Sequence, residues 1–347
     1  MTRIALDLRR RGCILFAGRT TNMLDIVNPD ILANADAFGR EFKRSLPFPH
    51  IVLDDFLRRE TAQALLDQFP AFDERRAMSE TGLVGRKAVR EDLAHLSPTY
   101  RALDAVVKSR PFLDLVGRLT TIPDLLYDPE YFGGGTHENL DGMELDPHVD
   151  FNLHPTRQWH RRLNLILYLN PEWEEPWGGG IEFHSDPWDR DGNQVKTVVP
   201  LMNRCVIFET SERSWHGFRR ITLPEGKRHL ARRSIALYFY SKDRPADEIA
   251  PSHATFYVHR YLPQDLVPGH VLTEDDVNEL RALLTRRDGW IRFLYKREMD
   301  FSRQIDALRG AHLGQLKPLY SLVDIAKALR DRVRRFDLRG RITARRP

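Results

Sequence analysis

The chain has 347 residues, 41% of them hydrophobic and 29% charged, with a net charge of +4. That balance excludes a disordered or low-complexity polymer, and the length suits one large catalytic domain with extensions or two smaller domains. Only Cys13 and Cys205 are present, too few for a disulfide framework, and no apolar run could span a bilayer, so a reducing, cytoplasmic setting is expected.

Three regions are expected in chain order: an N-terminal segment over 1–45, a β-rich domain over 46–245 and a helical, basic C-terminal extension over 246–347. Arg9-Arg10-Arg11 followed by the apolar Cys13 to Ala17 has the order of a signal peptide, but the apolar run stops after five residues at Gly18-Arg19, below the length such a signal needs. Pro47 to Leu57 reads as a strand entering a helix, with Ala62, Leu65, Leu66 and Phe69 at helical spacing and Pro70 as the stop. Residues 98–118 read as a further helix. Strands are predicted over 162–168, 180–184, 195–199, 204–208 and 233–240, separated by Gly, Pro and Asp. The fold class is therefore mainly β with flanking α: a double-stranded β-helix, or jelly roll, with N-terminal helices and a helical C-terminal extension.

In that extension Thr273-Glu274-Asp275-Asp276 reads as a helix start, followed by an apolar stripe at Val277, Leu280, Leu283 and Leu284. Leu319, Leu322, Val323, Ala326, Leu329, Val333 and Phe336 repeat at helical spacing further on, beside Lys327, Arg330, Arg332, Arg334 and Arg335. The plain reading is a helix packed on the catalytic domain with a solvated basic face. The sharper reading is contact with a polyanion or a membrane surface, which Arg339, Arg341, Arg345 and Arg346 also suit. The net charge does not decide between them.

Chemistry concentrates at His148-Val149-Asp150. With 13 His in the chain, roughly two His-x-acid matches arise by chance, and His184-Ser185-Asp186 is a second one. On a strand, His148 and Asp150 point to one face and can chelate one ion. His216 follows 68 residues after His148, enough chain to fold a sheet back over the pair. Two imidazoles and one carboxylate leave half of an octahedral iron(II) open, so His148, Asp150 and His216 are the expected catalytic metal ligands.

Further motifs accompany these ligands in order: Arg162 to Asn170 leading to Trp177-Gly178-Gly179-Gly180, then Val199-Pro200 to Phe208, Ser214-Trp215-His216, and Arg232 to Tyr240. With them, residues 46 to about 242 resemble the prolyl-4-hydroxylase-like branch of the iron(II)- and 2-oxoglutarate-dependent oxygenases, and Pro47 to Phe69 resembles that group's lead-in. The resemblance implies Fe(2+), 2-oxoglutarate as cosubstrate and O2, with ascorbate as an optional reductant. It also implies hydroxylation of an unactivated C–H bond with release of succinate and CO2. The substrate is left open between a prolyl or other residue in a protein and a small molecule or glycan.

The far carboxylate of 2-oxoglutarate needs a cation at fixed distance, and a guanidinium fork suits it. Arg232 or Arg233 could supply it. Placing Tyr238-Phe239-Tyr240 on the family's final core strand selects Arg232, with Ser234 on the same face as a second donor. Tyr168 matches the family's phenol for that carboxylate, or else is an ordinary core aromatic, and Tyr131 resembles another tyrosine lining the cosubstrate pocket. Gly178-Gly179-Gly180 lacks the helix and Lys-Ser or Lys-Thr of a phosphate loop and reads as a tight turn. Trp215 could shape the pocket. His154, Arg157, His160, Arg161 and Arg162 read as a solvated basic face or an entry path for an acidic substrate. Two alternatives stand beside this reading: a cupin-like metalloprotein without 2-oxoglutarate, and a non-catalytic scaffold that binds through its basic C-terminal region.

Overall fold

Alternation along one central strand separates two apolar layers. The computed structural model describes residues 13–16, 19–73, 88–263 and 265–342, and places Leu163, Leu165 and Leu167 in one buried cluster and Ile166 and Tyr168 in another. A strand has a period of two, so one face of this strand packs on helices and the other closes on a second sheet. Arg9 to Arg11 and Arg345 and Arg346 lie outside the described residues.

The chain divides into two units, Met1–Leu272 and Thr273–Pro347. In the first, β1 (Cys13–Phe16) and β2 (Arg19–Asn22) form a hairpin. Helix α1 (Pro29–Arg44) starts at Asn28, whose side chain accepts from the Asp30 amide. Then come β3 (His50–Leu53), α2 (Arg59–Asp67), β4 (Ala88–Arg90), α3 (Leu93–Leu96), α4 (Pro98–Val107) and α5 (Arg110–Thr120). The helical stretch expected over 98–118 is two helices, because Ser109 caps the second through the Phe112 amide and Pro111 fits only a first turn.

The strands that follow are β5 (Leu126–Tyr127), β6 (Gly135–Asn139), β7 (Leu145–Val149), β8 (His160–Tyr168), β9 (Ile181–His184), β10 (Val195–Val198), β11 (Cys205–Glu209), β12 (Trp215–Phe218), β13 (Arg232–Ser241) and β14 (Phe256–Tyr257). They form a seven-stranded sheet in the order β3-β11-β8-β13-β6-β4, with β5 on β13, and a five-stranded sheet in the order β10-β9-β12-β7-β14. Every pairing is antiparallel, which is the double-stranded β-helix expected. Strand β14 lies past residue 245 and pairs with β7, so the first unit runs on to Leu272 rather than ending there.

Helices α1, α2, α4 and α5 bury Phe42, Leu65, Tyr100 and Phe112 in the same cluster as Leu165, Leu237 and Phe239 of the large sheet. Each such side chain contributes about 1.5–3 kcal/mol on burial. Ile181, Phe183, Val206 and Phe208 fill the gap between the sheets beside Tyr168, and the open remainder of that gap is the site described below.

The second unit is one helix, α6 (Glu274–Ile342). Thr273 caps it, accepting from the Asp276 amide while the Asp276 carboxylate accepts from the Thr273 amide. The two apolar stretches read separately in the sequence, from Val277 and from Leu319, lie on this one helix. No described helix is long and apolar enough to cross a membrane.

Candidate functional site

His148 on β7 and His216 on β12 are cross-strand partners in register, with ring centroids 4.2 Å apart. A register shift between His216 and Phe218 sets Phe218 opposite Leu145, so Leu145 and His148, three apart on β7, both line the cavity with His216 and Phe218. Each ring has its Nδ1 on a backbone carbonyl two residues earlier, Asp146 O at 3.0 Å and Ser214 O at 2.9 Å. That hydrogen bond sets the tautomer and leaves Nε2 as the coordinating atom. Both Nε2 atoms turn towards Asp150, at 3.8 Å from Oδ1 and 3.5 Å from Oδ2. The ligand atoms of the three residues all lie within 4.8 Å of one another, the one such cluster among the described residues.

Sequence reading missed what holds Asp150. Arg161 is buried, with a guanidinium nitrogen 3.1 Å from Asp150 Oδ2, and Asn164 donates to that oxygen at 2.8 Å. Arg161 also donates to Asn164 Oδ1 at 2.7 and 3.0 Å and lies over the Tyr238 ring at 3.7 Å and the Phe151 ring at 4.5 Å. Burial alone would raise the Asp150 carboxyl, but Arg161, the two imidazoles and Asn164 outweigh it and hold the acid well below its ordinary range. Burial lowers His216, with Asp150 opposing, so its ring is neutral and able to bind metal.

At the other end of the same cavity lies Arg232. It is 5% exposed, and no carboxylate among the described residues pairs with it. Its Nε donates to Gly179 O at 2.5 Å and its Nη2 to the Tyr168 phenol at 3.1 Å, and Asn139 Oδ1 accepts from Nη1 at 3.4 Å. The glycine turn is therefore an anchor for this arginine as well as a turn: Gly178 and Gly179 have φ of +70° and +69°, and a Cβ on Gly178 would sit 2.0 Å from Arg220 O. Ser234 Oγ, on the same face of β13, is buried without a hydrogen-bond partner. A buried cation without an acid, beside an unused hydroxyl, is a cradle for an anion.

Arg233 points to the opposite face, where its Nε donates to Glu138 Oε1 at 2.9 Å. The structure brings together His148, Asp150, His216, Arg232, Tyr168 and Ser234, but not Tyr131. The Tyr131 phenol donates to Asp104 Oδ1 at 2.9 Å within the helix-side core. The phenol that stands at the cavity instead is Tyr238, which donates to Gly133 O at 2.9 Å and is pushed up to about 12 by burial, with Arg161 opposing. The period of two along β13 could have found it, since Arg232, Ser234 and Tyr238 share a parity. Trp215 lies on the outer face of β12, edge-on to Trp188 and Phe256.

The basic segment is only in part the solvated face expected, with Arg157 exposed and His160 half-buried. Arg161, Arg162 and His154 are all buried, Arg162 pairing with Glu209 and Glu248 and His154 with Asp128. His184 is on the outer face of β9 beside Glu182 and is not one of the clustered ligands. A larger cleft of about 820 Å³ borders Arg162, Glu209, Arg244 and Glu248, in which Arg162 pairs with both acids and Arg244 with Glu248, and none of the expected ligands lines it.

Two histidines and one carboxylate converge at one end of the cavity, and a buried arginine with no acid among the described residues lies at the other, an arrangement suited to a metal ion and an anion. In agreement, residues 135–240 match the family model described as the 2OG-Fe(II) oxygenase superfamily. Over this segment the chain is similar to that superfamily. Curated relatives include the prolyl 3-hydroxylase OGFOD1 of Mus musculus, 28% identical over 140 residues covering 36% of this chain and 24% of that protein. The Xenopus laevis protein of the same name is 32% identical over 121 residues, covering 31% of this chain and 23% of that one. The chain thus spans about a quarter of the length of the curated relatives it matches. Among solved structures, a Trichoplax adhaerens prolyl hydroxylase in complex with a peptide fragment of hypoxia inducible factor matches with a TM-score of 0.43 and 16% identity, covering 63% of this chain and 96% of that one. A prolyl 4-hydroxylase from Phytophthora capsici matches with a TM-score of 0.40 and 20% identity, covering 79% and 78%.

Proposed function

We propose that the protein is an iron(II)- and 2-oxoglutarate-dependent hydroxylase with metal ligands His148, Asp150 and His216. The observation that carries this is the pairing, in one cavity, of the converging Nε2 and carboxylate atoms with Arg232, a buried cation that has no acid among the described residues. Iron(II) held there, with 2-oxoglutarate and O2, supplies the oxidation that releases succinate and CO2 and hydroxylates an unactivated C–H bond.

The chain's own residues bind and orient. The Nδ1 hydrogen bonds of His148 and His216 present Nε2 to the metal. Arg161 and Asn164 hold Asp150 ionised and in place through its Oδ2. Arg232, steadied by Gly179 and Tyr168, takes the far carboxylate of 2-oxoglutarate, and Ser234 donates its hydroxyl to it. Phe151 and Tyr238 cover Arg161 and keep water from its pair with Asp150. The names of the curated relatives make a prolyl residue in a protein the first substrate class to try. The buried, unpaired thiol of Cys205 suits a reducing compartment such as the cytoplasm.

Anaerobic titration with iron(II) and then 2-oxoglutarate tests the site, read by the visible charge-transfer band of the chelate. Succinate formation, with and without ascorbate and proline-containing peptides, then tests turnover. The expected result is a band in wild type, none in His148→Ala, and iron-dependent succinate release. Tight iron binding with no band and no succinate would transfer the site to a cupin-like chemistry without 2-oxoglutarate.

A further inference from the structure

Helix α6 is 69 residues long, about 100 Å at 1.5 Å per residue. Its apolar residues recur every seven. Counting from Val277 gives Leu284, Ile291, Ile305, Leu319, Ala326 and Val333. From Leu280 the same step gives Leu294, Phe301, Leu308, Leu322, Leu329 and Phe336. Only Arg287, Glu298, His312 and Gln315 interrupt the two series. Alternating steps of three and four run from Val277 to Leu308 and resume in the same frame at Leu319, just past Pro318; a repeat of this kind is the seam of a coiled coil, positions a and d of a heptad, rather than the wider stripe of a helix lying on a globular core. Among the seam side chains described, Leu284, Ile291, Leu294, Phe301, Ile305, Leu308 and Leu329 are 47–71% exposed and Val277 and Leu280, in the first turns, are half-buried, whereas Leu283 and Trp290, beside the seam, are buried.

We propose that this seam is covered by α6 of a second copy of the same chain, running antiparallel. A seam of this repeat fits a partner with the same repeat, and a second copy presents one. Fourteen apolar seam residues per copy, at roughly 60–120 Å² each, would bury on the order of 2,000 Å² in total, above the roughly 1,200 Å² of a stable interface. Orientation follows from the interruptions and the flanking charges. A parallel pair in register would stack Glu298 on Glu298 and Arg287 on Arg287 in the core, an uncompensated burial of like charges. An antiparallel pair sets each against an apolar residue. At flanking position e, one antiparallel register brings Arg281 to the second copy's Asp337 and Asp288 to its Arg330, each contact made twice by symmetry, against a single like-charge contact of Arg309 with Arg309 at the centre, so attraction prevails.

Sedimentation velocity of the full chain from about 1 to 50 µM tests this. The expected result is a dimer that becomes monomeric in Leu294→Glu/Ile305→Glu. Asp288→Arg should weaken the dimer roughly three- to tenfold, and adding Arg330→Asp should restore it. A wild type that stays monomeric, or a dimer indifferent to Leu294→Glu/Ile305→Glu, would overturn the proposal. A double charge reversal no tighter than Asp288→Arg alone would overturn the antiparallel arrangement.

Discussion

Replacing Arg232 by Met separates binding from stability. The guanidinium is buried, no acid among the described residues balances it, and Gly179 O, the Tyr168 phenol and Asn139 hold its fork in place. A hydrogen bond to a charged group is worth about 1.5–3 kcal/mol, so losing a two-pronged contact to a carboxylate should cost about 3–6 kcal/mol, roughly a 10²–10⁴-fold loss in 2-oxoglutarate affinity. Arg232→Lys keeps the charge without the fork and should fall between. Methionine also removes an uncompensated buried charge, so the unliganded protein should melt within a few degrees of wild type or above it. Equilibrium dialysis with labelled 2-oxoglutarate, together with calorimetric melting, measures both. A variant that binds 2-oxoglutarate within threefold of wild type would refute the role given to Arg232.

Arg233→Ala should show the opposite pattern. It strands the buried Glu138 and should cost about 1–3 kcal/mol of stability, seen in urea unfolding, with 2-oxoglutarate binding unchanged. Ser234→Ala removes a buried hydroxyl that has no partner and should leave the melting temperature unchanged or higher while raising KM for 2-oxoglutarate about two- to tenfold. Arg161→Met should weaken iron(II) binding roughly 10–100-fold, read by competition with a chromogenic chelator, because Asp150 loses the cation that orients it. His50 is lowered to about 4, chiefly by burial, with its bond to Phe48 O opposing. Its folded value lies below its unfolded one, so its contribution is complete above about pH 6.5 and is lost as pH falls towards 4, at most about 3 kcal/mol. His50→Phe should flatten that acid limb in urea titrations at pH 5 and 7.5.

Periodicity and ligand spacing carry much of this protein in one dimension. The period of two on β8 and β13 decides which residues face the cavity, so Arg232 and Ser234 share a face with Tyr168 opposite them, and Arg233 faces away. His148 and Asp150, two apart, needed no knowledge of the sheet to be grouped. The capped start at Thr273 and the seven-residue repeat of α6 are equally local, though the repeat is easily taken for an ordinary amphipathic stripe when its two halves are read apart.

What only the tertiary structure decided are the contacts between strands and the depth at which each charge lies. Arg161 looks like one more cation in a basic stretch until β7 and β8 bring it against Asp150, and Gly179 looks like a turn residue until β13 brings Arg232 to its carbonyl. Tyr131, one of many aromatics in the sequence, turned to Asp104 on α4, and Tyr238 took the place at the cavity. Local pattern selects a face because backbone geometry repeats within an element. Burial and partner choice depend on sheet register and on helices distant in sequence, which no single segment encodes.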